Sequence, residues 1–276
     1  MQNALTPPLV NQKLTTVRIG RNYQYLPSAT STNDLLKEQA TSGSGSAIAV
    51  GTVLLTDYQE KGKGRLARRW EAPPGSSLLF SILLRPNWPL EHFSWLTMIG
   101  GLAVSEAVSQ QTTLATHLKW PNDCVIMQDG MWKKYCGILL EGHFSAGEHP
   151  AYAVVGIGVN VNIAENDLPT TTFPATSLMA ATGSPVSRLE LLTAILGRFE
   201  HHYELAERGQ SPLAAWQERL IFMNRRVVVS RLGDEVEIVG TAVGTDKDGR
   251  LLVRDDEGEL HHIAAGDMTI REYFEP

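Results

Sequence analysis

The stretch KGKGRLARRWEAPPGSSLLFSILL, Lys61 to Leu84, joins a cationic loop to an almost continuously apolar run. Ser77 to Leu84 has the composition of a central strand buried on both faces. Ala47 to Thr56, just upstream, reads as a second strand leading into the loop, so the loop bridges two strands of one core. Lys61 to Trp70 holds five cations and two glycines in a chain whose formal net charge is -6. Cations packed this closely repel one another unless they are well solvated or gathered around a bound anion. Gly62 and Gly64 favour the anion, because a residue without a Cβ lets backbone N–H groups approach a ligand and adopt positive φ. The bland alternative is an idle charged loop.

Around this pair of strands the pattern is that of an α+β protein. Ser31-Thr32-Asn33-Asp34 can cap a short helix through Ala40, and Thr41 to Ser46 is a Gly/Ser turn. Phe93 to Gln111 has the length and apolar spacing of a helix. Strands are expected at His117 to Trp120, Cys124 to Met127, Tyr135 to His143 and Tyr152 to Val161, with Asp129-Gly130 as a hairpin turn. Helices follow at Ser187 to Arg208 and at Pro212 to Phe222, where Ser211 caps and Pro212 opens the first turn. From about Asn224 the texture changes to short β runs at Arg226 to Arg231, Val236 to Val243, Leu251 to Arg254 and Leu260 to Ile263. The turns Gly233-Asp234, Asp248-Gly249 and Glu257-Gly258 separate them, which is the pattern of a small SH3-like or OB-like β-barrel. The expected organisation is a poorly ordered N-terminal extension at 1–20, a catalytic domain at 21–223 with a central mixed or antiparallel sheet packed with helices, and a barrel at 224–276.

Composition narrows the class. Hydrophobic residues make up 43% and charged residues 20% of the chain, an ordinary globular balance, and the acidic total argues against a surface coated for nucleic acid. Cys124 and Cys136 are the only cysteines, without CxxC spacing, so a reducing, cytoplasmic setting is expected. No apolar run reaches membrane-span length. The adjacent pairs His201-His202 and His261-His262 lack metal spacing and read as solvated surface.

Several short motifs could carry chemistry. Ser31, Thr32 and Asn33 offer two hydroxyls and an amide at a helix start, suited to a neutral urea or amide head, or simply to capping. Gln59 adds a donor and an acceptor. Lys119-Trp120-Pro121-Asn122-Asp123 places an ammonium at a strand end before a rigid turn. There it could relieve repulsion between a carboxylate and a phosphate, or merely snorkel to the surface. Gly137-Ile138-Leu139-Leu140-Glu141 and Gly156-Ile157-Gly158-Val159-Asn160 are glycine-marked strands, which mean close packing or room for a flat ring on the sheet. The second run lacks the third glycine and following helix of a dinucleotide fingerprint, and no GxxxxGK[ST] loop is present.

Taken in order, Ser-Thr-Asn, Tyr-Gln before a GRGRxGRxW-like loop, KWPND, GILxE and GxGxN resemble biotin–protein ligase, over about Tyr25 to Asn162. The resemblance implies a class II synthetase-like biotin/lipoate ligase domain with an SH3-like C-terminal module. It also implies ATP-dependent formation of biotinyl-5′-AMP, then transfer to a lysine of a biotin carboxyl carrier protein. Ser31, Thr32, Asn33, Gln59, Lys63, Gly64, Arg65, Lys119 and Gly137 would bind biotin. Arg65, Arg68, Trp70, Asn122 and Asn160 would bind ATP or the adenylate, with Lys119 and Arg65 catalytic. Mg²⁺ is implied by the ATP chemistry, without a dedicated ligand cluster. Lys63 stands where the family carries arginine and Ala67 where it carries glycine, so the loop is expected to make a different contact at the first and a different bend at the second.

Many relatives carry an N-terminal helix-turn-helix, for which no two-helix pattern precedes Tyr23, so a ligase without repressor function is expected. A lipoate–protein ligase and a nucleic-acid-binding module using the loop and barrel are the rival readings. The polar triplet and KWPND oppose the first, and the acidity and lack of interleaved aromatics oppose the second. Homodimerisation through an edge strand is left open by the sequence.

Overall fold

The structure is a computed structural model describing residues 5–41, 48–66, 68–144, 150–231, 236–265 and 268–272. Its helices are α1 (Pro7–Lys13), α2 (Thr32–Thr41), α3 (Trp95–Gln111), α4 (Leu178–Thr182), α5 (Arg188–Glu207) and α6 (Leu213–Gln217). A first set of strands comprises β1 (Tyr23–Leu26), β2 (Val53–Thr56), β3 (Ser77–Leu84), β4 (Thr116–Lys119), β5 (Asp123–Gln128), β6 (Met131–Phe144) and β7 (Pro150–Asn160). They form one seven-stranded sheet in the order β1-β2-β3-β7-β6-β5-β4, parallel only between β1 and β2. The expected mixed sheet is thus present, and the cationic loop does join the neighbours β2 and β3.

Strand alternation divides the core. Val53, Leu55, Ile82 and Leu84 face the long helices α3 and α5, while Leu54, Leu83 and Val154 face Leu36 of α2. All eight residues of β3 are buried, as expected for a strand covered on both sides. The short α2 covers only part of its face, and the site lies on the uncovered part.

The remaining strands, β8 (Arg226–Arg231), β9 (Val236–Thr245), β10 (Leu251–Arg254), β11 (Leu260–Ile263) and β12 (Met268–Glu272), make a five-stranded antiparallel sheet ordered β11-β10-β9-β8-β12. It is the expected C-terminal β-module, with one strand more than sequence periodicity indicated; the Gly233-Asp234 turn lies outside the described residues. Backbone oxygens of the module help dock it: Asp248 accepts from Ser94 Oγ at 3.1 Å, Gly249 from Trp120 Nε1 at 3.1 Å and Thr245 from Gln217 Nε2 at 3.1 Å.

Four expectations need correction. Residues 5–20 are built into the fold: Val10, Leu14 and Ile19 are core residues, and the Tyr23 hydroxyl donates to the Leu5 carbonyl at 2.8 Å. A single helix is too short a pattern for periodicity to reveal. β2 starts at Val53 because a turn from Ala49 to Thr52 occupies the beginning of the predicted strand, of which Ala47 lies outside the described residues, as do 42–46 of the Gly/Ser turn. The last predicted helix shrinks to α6. Beyond it the chain pairs with β4 through Leu118 N–H to the Arg219 carbonyl and Ile221 N–H to the Leu118 carbonyl, both 2.8 Å. The histidine pairs are solvated surface only in part: His201 and His262 are exposed, but His202 and His261 are half-buried, and His202, His261 and His262 meet Glu106, Asp255 and Asp246 at 3.0, 2.6 and 3.1 Å.

Glu200 of α5 fixes the N-terminal segment. Its carboxylate accepts the backbone N–H groups of Val17, Arg18 and Ile19 at 2.7, 2.6 and 2.8 Å. Burial alone would raise its pKa, but these three hydrogen bonds outweigh burial and hold it below the usual glutamate value. A depressed carboxylate stabilises the fold above its unfolded pKa and loses that contribution as pH falls through the folded value. Glu200→Ala is expected to cost about 3 kcal/mol in urea unfolding at neutral pH, and to flatten the acid limb of stability against pH.

Candidate active site

The register of the sheet lays out the site. Leu79, Gly158, Gly137, Asp123 and Lys119 are successive cross-strand partners from β3 to β4, and Ser81, Gly156 and Leu139 form the neighbouring row. Both rows lie on the α2 face, two residues apart along each strand. Glycines at 137, 156 and 158 leave a hollow where other strands carry side chains. The cavity above them has a volume of about 530 Å³ and is lined by every site residue expected from sequence.

At one corner stands the polar triplet. Ser31 is the N-cap of α2: its carbonyl accepts from Leu35 N–H at 3.1 Å, and its hydroxyl lies 3.5 Å from Asp34 N. Gln59 Oε1 accepts from Thr32 N–H at 2.9 Å and from the Thr32 hydroxyl at 3.2 Å. Ser81 Oγ lies 2.7 Å from Thr32 Oγ1 and 2.6 Å from Asn33 Oδ1. Capping and cavity lining are therefore one arrangement. The same three residues end a helix and present a buried, fully oriented set of polar atoms.

The cationic loop folds back on itself over the cavity. Trp70 N–H donates to the Gly62 carbonyl at 3.0 Å, and Gly64 N–H to the Arg68 carbonyl at 2.8 Å. A Cβ on Gly62 would sit 2.2 Å from the Trp70 carbonyl oxygen, so the glycine is required by this close approach. Positive φ was the expected reason, and it falls instead on Leu66, at 60°. Ala67 lies outside the described residues. The loop's charges are not uniformly turned inward. Lys63 pairs with Asp34 at 2.6 Å, and Arg65 donates to Asn122 Oδ1 at 3.1 Å and to the Ala265 carbonyl of the C-terminal module. Arg69 donates to the Glu60 carbonyl at 3.0 Å.

Trp70 lies on the paired glycines. A Cβ on Gly158 would come within 2.6 Å of its ring and one on Gly137 within 2.8 Å, so these positions are glycines to admit a flat ring, here an indole. Trp70 Nε1 is buried without a hydrogen-bond partner among the described residues.

Two ammonium groups serve the glycine row. Lys119 is 4% exposed, its Nζ lies 4.8 Å from the Phe173 ring centroid, and it forms no hydrogen bond with the described residues. Burial, then the positive charges of Lys134, Arg68 and Arg65, lower its pKa to about 8 against the pull of Asp123. Lys134 meets Asp123 at 2.6 Å and stands 5.3 Å from the Trp70 ring centroid, directly over Gly137. At the row's far side Asn160 donates to the Thr176 carbonyl at 3.0 Å, and its Oδ1 is buried without a partner among the described residues.

Sequence reasoning named Asp123 only as part of its motif, without a role, and missed Lys134, Phe173 and the Thr170–Thr172 segment, all of which line the cavity. Lys134 lies just before the expected strand Tyr135 to His143, and only the β5–β6 register brings it to Asp123 and over Gly137. The segment at 169–173 carried no signal, because its position depends on a long irregular connection. Asp255, Glu259 and His261 form the one cluster of three metal-competent side chains among the described residues, and it lies in the C-terminal module outside this cavity.

A polar corner, a glycine floor, flanking ammoniums and a cationic loop on a mixed sheet, joined to a small C-terminal β-module, define a ligase of the biotin/lipoate class. The biotin/lipoate A/B protein ligase family model matches residues 25–160, and the biotin protein ligase C-terminal domain matches 222–271. The chain is 30% identical to the Mycobacterium tuberculosis biotin–[acetyl-CoA-carboxylase] ligase across 97% of this chain and 98% of that one. The chain therefore belongs to the biotin protein ligase family. It is also 31% identical to the bifunctional ligase/repressor BirA of Bacillus subtilis, spanning 66% of that protein's length. The Aquifex aeolicus biotin protein ligase in complex with biotin and ATP superposes with a TM-score of 0.73 at 31% identity, covering 92% of this chain and 100% of that chain.

Proposed function

We propose that this chain activates biotin with ATP and transfers it to a lysine of a biotin carboxyl carrier protein. The observation that carries the reading is the single hollow in which an oriented polar corner, a glycine floor and two ammoniums meet. In the first step the biotin carboxylate attacks the α-phosphorus of ATP; the bond to the β-phosphate bridging oxygen breaks and pyrophosphate leaves. In the second the carrier lysine amine attacks the acyl carbon, and AMP departs with the bonding pair.

Each residue has a task in this chemistry. Ser31, Thr32, Asn33 and Gln59 would hold the ureido head. Lys134, over Gly137, and Lys119, at the row's end, would offset the approach of carboxylate and phosphate, with Lys119 the principal electrostatic catalyst. Arg65 and Arg68 would meet phosphate charge, with Lys63 and Gly64 in the covering turn, Trp70 closing the floor and Asn122 holding Arg65. Mg²⁺ would neutralise phosphate charge when bound, and Asn160, whose buried Oδ1 has no partner among the described residues, is the side chain that would hold it. We place the catalytic unit at 21–223 and its β-module at 224–276, with two free cysteines suiting a reducing compartment. Among the described residues no helix is long and apolar enough to cross a membrane, and the segment before Tyr23 holds one helix of seven residues.

The test is incubation with ATP, labelled biotin and a carrier domain. Label on the carrier lysine with stoichiometric AMP supports the reading, and its absence under saturating ATP removes it. Calorimetry with biotin and with lipoate separates the family's two substrates; heat from lipoate alone would reassign the polar corner.

Lys119 adds a proton-linked prediction. In the empty site its ammonium loses its proton above about pH 8, whereas a bound phosphate anion would hold the proton on. Binding of biotinyl-5′-AMP is therefore expected to take up close to one proton at about pH 9 and almost none at about pH 6.5, with affinity falling as pH rises between them. Calorimetry in buffers of different ionisation enthalpy measures this; equal uptake at both values would count against a depressed lysine.

A further inference from the structure

An unbroken chain of side chains runs from the cationic loop to the polar corner. Lys63 Nζ lies 2.6 Å from Asp34 Oδ2, and Lys37 Nζ bridges Asp34 Oδ1 at 2.9 Å and Glu141 Oε1 at 2.5 Å. The other Glu141 oxygen accepts from Asn33 Nδ2 at 2.7 Å. Loop, α2 and β6 each contribute, and the signs alternate, so the chain neutralises itself and leaves no net charge to attract a ligand. Isolated pairs this exposed contribute little, but here Asp34 and Lys37 each serve two neighbours, and removing Asp34 would take the counter-charge from Lys63 and leave Lys37 with Glu141 alone. The chain also fixes an orientation. With Nδ2 committed to Glu141, the Asn33 amide must present Oδ1 to Ser81.

We propose that Asp34, Lys37 and Glu141 are positioning residues that clasp the first turn of the cationic loop to the polar corner, so that Asn33's orientation and the loop's placement are set together. Lys63 then acts as the loop's anchor and not as the biotin contact the resemblance implied, which accounts for an ammonium where a guanidinium fork is the family pattern. Ionisation supports the clasp: burial would raise the Asp34 pKa, but Lys63 and Lys37 hold it below the usual range. Burial would lower the Lys37 pKa, yet Glu141 and Asp34 raise it. The nature of the retained ligand rests on the ligase reading; the clasp itself does not.

The experiment uses the full chain with Asp34→Asn, Lys37→Met and the conservative Asp34→Glu. Amide hydrogen exchange is read without ligand at Gly64 and Trp70, whose N–H groups hold the loop's fold. Exchange there is expected to quicken about tenfold in Asp34→Asn and Lys37→Met and to return towards wild type in Asp34→Glu, with melting temperature unchanged. With ligand, release of preformed biotinyl-5′-AMP should quicken by a similar factor, and about 1 M salt should reproduce this in the wild type but add little in Asp34→Asn. Unchanged exchange in both neutral variants overturns the clasp. Failure of the wild type to bind biotinyl-5′-AMP overturns the ligase reading instead, while the exchange measurement still decides the clasp.

Discussion

Replacing Lys119 with alanine is expected to slow adenylate formation by about 10²–10³-fold while weakening biotin binding less than about tenfold. The separation follows from position. Lys119 stands at the β4 end of the glycine row, across Asp123 from the floor and away from the polar corner formed by α2 and β3. Its charge therefore acts on the reacting carboxylate and phosphate more than on the head group. Pyrophosphate release and equilibrium biotin binding measure the two quantities. Lys119→Arg sharpens the test, since a guanidinium stays charged throughout: any residual activity should lose the decline above about pH 8 that a depressed lysine imposes. Lys134→Ala should cost a comparable amount in rate and more in biotin affinity, because its ammonium lies over Gly137 beside Trp70. Full turnover in Lys119→Ala with collapse in Lys134→Ala would transfer the principal role to Lys134.

The second large effect is expected from a single methyl group. A Cβ on Gly156 would lie 2.3 Å from Asn33 Oδ1, a distance that forces something to move. The Asn33 amide cannot swing aside cheaply, being held by Ser81 and Glu141 on opposite ends. Gly156→Ala is therefore expected to displace the amide and raise the KM for biotin about a hundredfold, roughly 3 kcal/mol, with the KM for ATP little changed. Ser81→Ala, which removes one restraint from the same amide, should recover part of the loss when combined with Gly156→Ala. An unaltered KM for biotin in the single variant would show that Asn33 does not hold the head group.

Much of this was legible because local chemistry decided it. The apolar run Ser77 to Leu84 became β3 at its expected bounds, Asp129-Gly130 made the β5–β6 turn with φ of 52° and 75°, and Ser187 capped α5. The ordered motifs delivered the cavity-lining residues, since each was a polar or glycine cluster at a helix start, in the loop, at a strand end or within an apolar strand. What sequence alone concealed was pairing. That Gly158 faces Gly137, and Gly137 faces Asp123, is a property of register, and register is set by partners distant along the chain. Lys134 became visible only through that register. The commitment of Lys63 to Asp34 was hidden for a similar reason: a cluster of like charges reads as one anion site until the geometry shows some of them already neutralised.

The glycine floor bears on how such a pocket diverges. Its selectivity is written in absent side chains, so the central positions can change only by filling, and every filling collides with Trp70 or Asn33. Adaptation to a different carboxylic acid must therefore be confined to the rim, where Phe173 and the Thr170–Thr172 segment can be exchanged without disturbing strand pairing. Such a scaffold preserves its reaction and renegotiates its clientele at the doorway.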